Sequence, residues 1–168
     1  FRALLGATAL AAAFCLAPAV ASAQVCGVPP CGSGGGGTAP LSITLLQNME
    51  FGTLAGDGSI TGTATIDPST GTKSVAGGTF DFGGVTSAAS FEVKGLRNTP
   101  FTIILPAIVT LNSGADSMTL DSFTSNPSGS GILGSSGKLS VTVGATLHVG
   151  VNQPAGNYTG IFDVIVNY

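Results

Sequence analysis

Residues 138–151 read KLSVTVGATLHVGV. Leu139, Val141, Val143, Ala145, Leu147, Val149 and Val151 share one parity, and Lys138, Ser140, Thr142, Gly144, Thr146, His148 and Gly150 share the other. Side chains of a strand alternate between faces, so this run is a long strand with one apolar face. A slip of one residue would turn the whole apolar set to water, which fixes the register. Gly144 marks a place where the run can bend into two consecutive strands.

The same alternation recurs on either side. GNYTGIFDVIVNY, residues 156–168, is expected to form one long strand with Tyr158, Phe162, Val164, Val166 and Tyr168 on its core face. LSITL places Leu41, Ile43 and Leu45 together. SITGTATI aligns Ile60, Gly62, Ala64 and Ile66, and ASFEVKG aligns Ala89, Phe91 and Val93. FTIIL aligns Phe101, Ile103 and Leu105 between Pro100 and Pro106, which suits a short edge strand. Turn chemistry separates the runs: DPSTG at 67–71, AGG at 76–78 and SNPSGSG at 125–131. No helical period follows residue 23. Many short strands joined by such turns predict an all-β, immunoglobulin-like antiparallel β-sandwich over residues 41–168.

Residues 1–23 stand apart. They combine an Ala/Leu-rich run, Pro18, and the small-residue pattern Ala21-Ser22-Ala23. This is expected to be a secretory signal peptide cleaved after Ala23, not a membrane span. Phe1 stands where an initiator Met would, so the sequence reads as a fragment lacking the front of that leader. Phe14 ahead of Cys15 is too bulky for a lipoprotein signal. Residues 24–40 hold Cys26 and Cys31 in CGVPPC, then a glycine-rich linker. In an exported chain these two cysteines are expected to pair, closing a short loop outside the core.

Composition narrows function. Charged residues make up only 8% of the chain. After Ala23, Lys73, Lys94, Arg97 and Lys138 face eight carboxylates, so no basic surface for nucleic acid is expected. His148, the only histidine, is expected on the exposed face of its strand and lacks the partners of a catalytic base. Asp57, Asp67, Asp116 and Asp121 read as turn residues that bond nearby amides. AGDGSITG is too sparse for calcium, the two nearby cysteines lack further ligands for zinc, and no nucleophile elbow occurs. Neither catalytic residues, nor a metal, nor a cofactor is expected.

MEFGTLAGDGSITGTATIDPSTGTKSVAGG, FEVKGLRNTPFTIILP and LSVTVGATLHVGVNQPAGNYTGIFDVIVNY together resemble a family of exported Gram-negative bacterial proteins known only as a domain of unknown function. The closing PAGNYTGIFDVIVNY is also similar to the last strand of chaperone–usher pilins and of spore-coat-U-like secreted subunits. In those sandwiches one strand is missing and a donor segment fills the gap, first from a chaperone and then from the next subunit. The resemblance implies a structural subunit at the cell surface, partnered by copies of itself, related subunits or a periplasmic chaperone. It makes Leu41, Ile43 and Leu45 the candidate donor strand, in the domain's own groove or a neighbour's. The alternative is an extracellular binding module, an adhesin or glycan-binding domain. Against it, Tyr158 and Tyr168, the only tyrosines, both fall on the buried parity.

Overall fold

The computed structural model describes residues 39–168. The signal peptide and the Cys26–Cys31 pair lie outside the described residues. In chain order the strands are β1 (Ser42–Gln47), β2 (Leu54–Gly56), β3 (Gly62–Ile66), β4 (Lys73–Gly77), β5 (Thr79–Asp81) and β6 (Ala89–Lys94). Then follow β7 (Pro100–Ile104), β8 (Ile108–Ser113), β9 (Asp116–Asn126), β10 (Ser130–Ile132), β11 (Lys138–Val149) and β12 (Ile165–Asn167). Every pairing is antiparallel.

The strand β11 is the axis of the fold. One of its edges pairs β6 through residues 138–143 and then β3 through residues 146–149. Its other edge pairs β9 through residues 142–148. Gly144 sits where β6 gives way to β3. A Cβ there would overlap the Ile66 carbonyl oxygen, so only glycine lets β3 come this close. The expected bend is therefore a change of partner along a single strand. β1 extends this sheet beyond β6, β4 extends it beyond β3, and β8 extends it beyond β9. A second sheet, ordered β10-β7-β12, and the pair β2-β5 complete a β-sandwich-like fold.

The core lies beneath the predicted faces. Val141, Val143, Ala145, Leu147 and Val149 are buried, as are Ala89, Phe91 and Val93. Phe162 joins the layers, its ring edge-on to Phe91 at 6.2 Å and tilted against Phe123 at 5.3 Å. Ile60 and Val151, each at the end of an alternating run, fall outside the strands and are exposed. FTIIL is not an edge strand: β7 lies between β10 and β12, and Pro100 is tolerated as its first residue.

The C-terminal run differs most from its expectation. Its parity holds, since Tyr158, Phe162, Val164 and Val166 are buried. Regular pairing is confined to β12, opposite β7. Upstream, Thr159 bridges Asn112 at the end of β8, so the segment crosses from one sheet to the other between these two points. Tyr168 is a correction: its ring is 52% exposed and does not belong to the core face. Its hydroxyl draws it aside, accepting from the Leu96 amide at 2.8 Å and donating to the Ala39 carbonyl at 3.0 Å.

Candidate functional site

The feature of interest is an edge. A seven-stranded immunoglobulin-type sandwich has the order A-B-E-D in one sheet and C-F-G in the other. Here β1-β6-β11-β9 reproduces the first order, and β7-β12 stands as the C-F pair. Among the described residues nothing pairs with the outer edge of β12, where a G strand would lie. β1, which pairs β6 alone among the described residues, also has a free edge, and Tyr168 ties the end of β12 to the lead-in to β1 at Ala39, which marks one end of a seam between them.

Of the candidate donor residues, Leu41 lies at this end of the seam. Leu41 is 7% exposed, and it borders Gly95 together with Leu133 and Tyr168. Ile43 and Leu45 stand opposite the buried Val93 and Phe91, yet remain only partly buried. β1 is paired within its own chain, on β6 and not on β12.

A second cluster fixes the opposite end of the molecule. The Lys73 side chain on β4 is only 5% exposed, and its ammonium group donates to the Asp81 carboxylate at 2.6 Å and the Phe51 carbonyl at 2.8 Å. That hydrogen bond, with a second from the Gly83 amide, holds the Asp81 carboxyl below the usual carboxylate range. The loop that follows is pinned by Phe82 N–H to Thr53 O at 3.0 Å and Thr53 N–H to Gly83 O at 2.7 Å. Phe80 at the middle of β5 and Phe82 in this loop are 54% and 62% exposed. Reasoning from the two tyrosines alone missed these exposed aromatics. The signal was present as Phe80 and Phe82 on one parity beside Gly83-Gly84.

His148 is on the exposed face of β11, as its parity required, and donates from Nε2 to Asp121 at 3.0 Å. Asp121 is not a turn residue: it lies within β9, and its carboxyl is held low chiefly by that hydrogen bond. Asp67 and Asp57 do act as turn residues. Asp67 accepts from the amides of Ser69 and Thr70, which lower its pKa, and Asp57 accepts from Ser59. Among the described residues no three His, Cys, Asp or Glu side chains converge on one point, and no helix is long and apolar enough to cross a membrane.

Fold and edge together define an all-β, sandwich-like domain in which, among the described residues, the outer edge of β12 is unpaired. The chain belongs to the family described as Domain of unknown function (DUF4402), whose model matches residues 41–168. No curated protein and no solved structure matches it.

Proposed function

We propose that the protein is an exported, non-enzymatic structural subunit of the cell surface, pilin-like in its assembly. The seam between β1 and β12 takes up a strand from a neighbouring copy or a related subunit, and from a periplasmic chaperone before assembly. The observation that carries this reading is the outer edge of β12, unpaired among the described residues, together with Ile43 and Leu45 of β1 left only partly buried. An added strand would pair the exposed backbone of β12 and cover both side chains, which is how β-augmentation gains affinity. The immunoglobulin-like strand order supports the reading. So does the resemblance of the last strand to pilins, and the export is that expected of the leader.

The test is amide hydrogen exchange on the protein secreted by a Gram-negative host, compared between isolated monomer and recovered surface material. Asp163–Tyr168 should exchange quickly in the monomer and slowly in the assembled form. Equal exchange in both forms, or a chain that stays monomeric at every concentration and on the cell surface, would overturn the proposal.

A further inference from the structure

At the far end of the large sheet from the seam, where β3 and β11 meet the neighbouring ends of β4 and β9, lies a cleft of about 390 Å³. Hydroxyl groups crowd it: Thr61, Thr63, Ser117 and Thr119, with the His148 ring among them. Strand register explains the convergence. His148 on β11 stands directly opposite Thr63 on β3 and, across its other edge, opposite Thr119 on β9. None of the four hydroxyls hydrogen-bonds another protein group among the described residues. His148 engages Asp121 through Nε2 and leaves Nδ1 free.

The wall of the cleft is built to stay in place. Gln153 donates to the Ser117 carbonyl at 3.2 Å and the Tyr158 hydroxyl at 2.7 Å, and accepts from the Gly150 amide at 3.3 Å. Tyr158 is wholly buried, and its hydroxyl donates to the Pro154 carbonyl at 2.8 Å. Gly62 and Gly77 pair directly on its β3 and β4 side, where a Cβ at Gly62 would overlap Thr79 and one at Gly77 the Thr61 carbonyl, so both strands need glycine to approach this closely.

The lining selects a ligand class. No Lys or Arg borders the cleft, so a phosphate or carboxylate finds no countercharge. No Phe, Tyr or Trp borders it, so the His148 imidazole is the one small ring a flat heterocycle could stack on. What it offers is a ring of uncommitted donors and acceptors, each able to both give and take a hydrogen bond at the hydroxyls. We infer that this cleft binds a neutral, polyhydroxylated ligand, one or two sugar rings in size, through Thr63, Thr119 and His148. Sugar hydroxyls match such a lining one for one, and a pocket of this volume is at the small end of ligand sites. The inference stands apart from strand addition at the seam, because the two sites share no residue.

The test is two-dimensional NMR on isotope-labelled mature protein at neutral pH. Methyl glycosides of glucose, galactose, mannose, fucose and N-acetylglucosamine are titrated into the tens-of-millimolar range, with methyl glucuronide as a charged comparison. At least one neutral glycoside should give saturable shifts at Thr63, Thr119 and the His148 ring, with glucuronide weaker. A Thr63→Val/Thr119→Val variant, near-isosteric on an exposed face and therefore folded, should bind that glycoside about tenfold more weakly. Shifts confined to other surfaces, unchanged affinity in the double variant, or no saturable shift from any neutral glycoside would overturn the inference.

Discussion

Lys73 is the one basic side chain drawn into the body of the domain, and the two oxygens it meets come from different segments, β5 and the stretch before β2. Lys73→Met keeps the aliphatic volume but removes the charged donor from both the Phe51 carbonyl and Asp81. Hydrogen bonds to a charged group contribute about 1.5–3 kcal/mol. The variant should therefore melt several degrees lower, read by circular dichroism. It should also change the acid response. The folded pKa of Asp81 is depressed, so its contribution is present above the unfolded value, near 4. It is lost as pH falls through the folded value. Wild type should lose stability on acidification below about pH 4, with Glu92, paired to Lys94 at 2.7 Å and Lys138 at 3.3 Å, and Asp121 acting in the same direction. In the variant the Asp81 share of that loss should shrink to what the Gly83 amide still supplies, making the melting temperature less steep against pH. Phe162 offers a sharper contrast. It is 4% exposed between Phe91 and Phe123, and Phe162→Asp places a charge there with no partner, at a cost of about 4 kcal/mol or more. Asn167→Asp, on the exposed parity of the same strand, should leave the melting curve within about 0.5 kcal/mol of wild type.

Among the elements, legibility in the sequence followed the regularity of the backbone. β11, β6 and β3 alternate without interruption, and their buried faces were readable residue by residue. β9 was not. Opposite Ala145 its register shifts, with Gly144 facing Thr124 and Thr146 facing Asp121. Ser122, at a φ of 51°, absorbs the extra residue. The bulge resets the parity, so Leu120 and Phe123 both turn inward although they are three residues apart. A test for period two fails across such a stretch. The C-terminal run failed differently: its parity was right, but alternation says nothing about which strand is the partner, and Thr159 and Ile165 belong to different sheets. The open edge was legible only through resemblance, since alternation along a strand says nothing about which of its edges stays unpaired among the described residues. Gly144 ties these elements together and yields a direct prediction. Gly144→Ala would press a methyl group on the Ile66 carbonyl, backbone that cannot rotate away. The strain of overpacking, about 1–3 kcal/mol, should appear as an equal loss in urea unfolding. Ala at Gly114, a turn tip with nothing near its missing Cβ, is no neutral control, because its φ of 61° disfavours any side chain.

For the molecule as a whole, β1 sets the margin of stability. Burying an aliphatic side chain contributes about 1.5–3 kcal/mol. Leu41 is fully covered and Ile43 and Leu45 partly so. Against a total of about 5–15 kcal/mol for a domain, removal of residues 39–47 should abolish the cooperative melt. The bare edge of β6 should then drive aggregation, visible by light scattering. A truncated domain that melts like the parent would mean that the first strand is dispensable to the fold.

The bond from the Tyr168 hydroxyl to the Ala39 carbonyl, at 3.0 Å, has a topological corollary. The two ends of the sandwich are neighbours, so a few glycines and serines could splice Tyr168 directly to Ala39. New ends could then be cut at the β8–β9 hairpin, where Gly114 and Ala115 form a two-residue turn in open water. Such a circular permutant would run β9 to β12, then β1 to β8, with every pairing intact. Its amide spectrum should overlay that of the parent except around the splice and the cut.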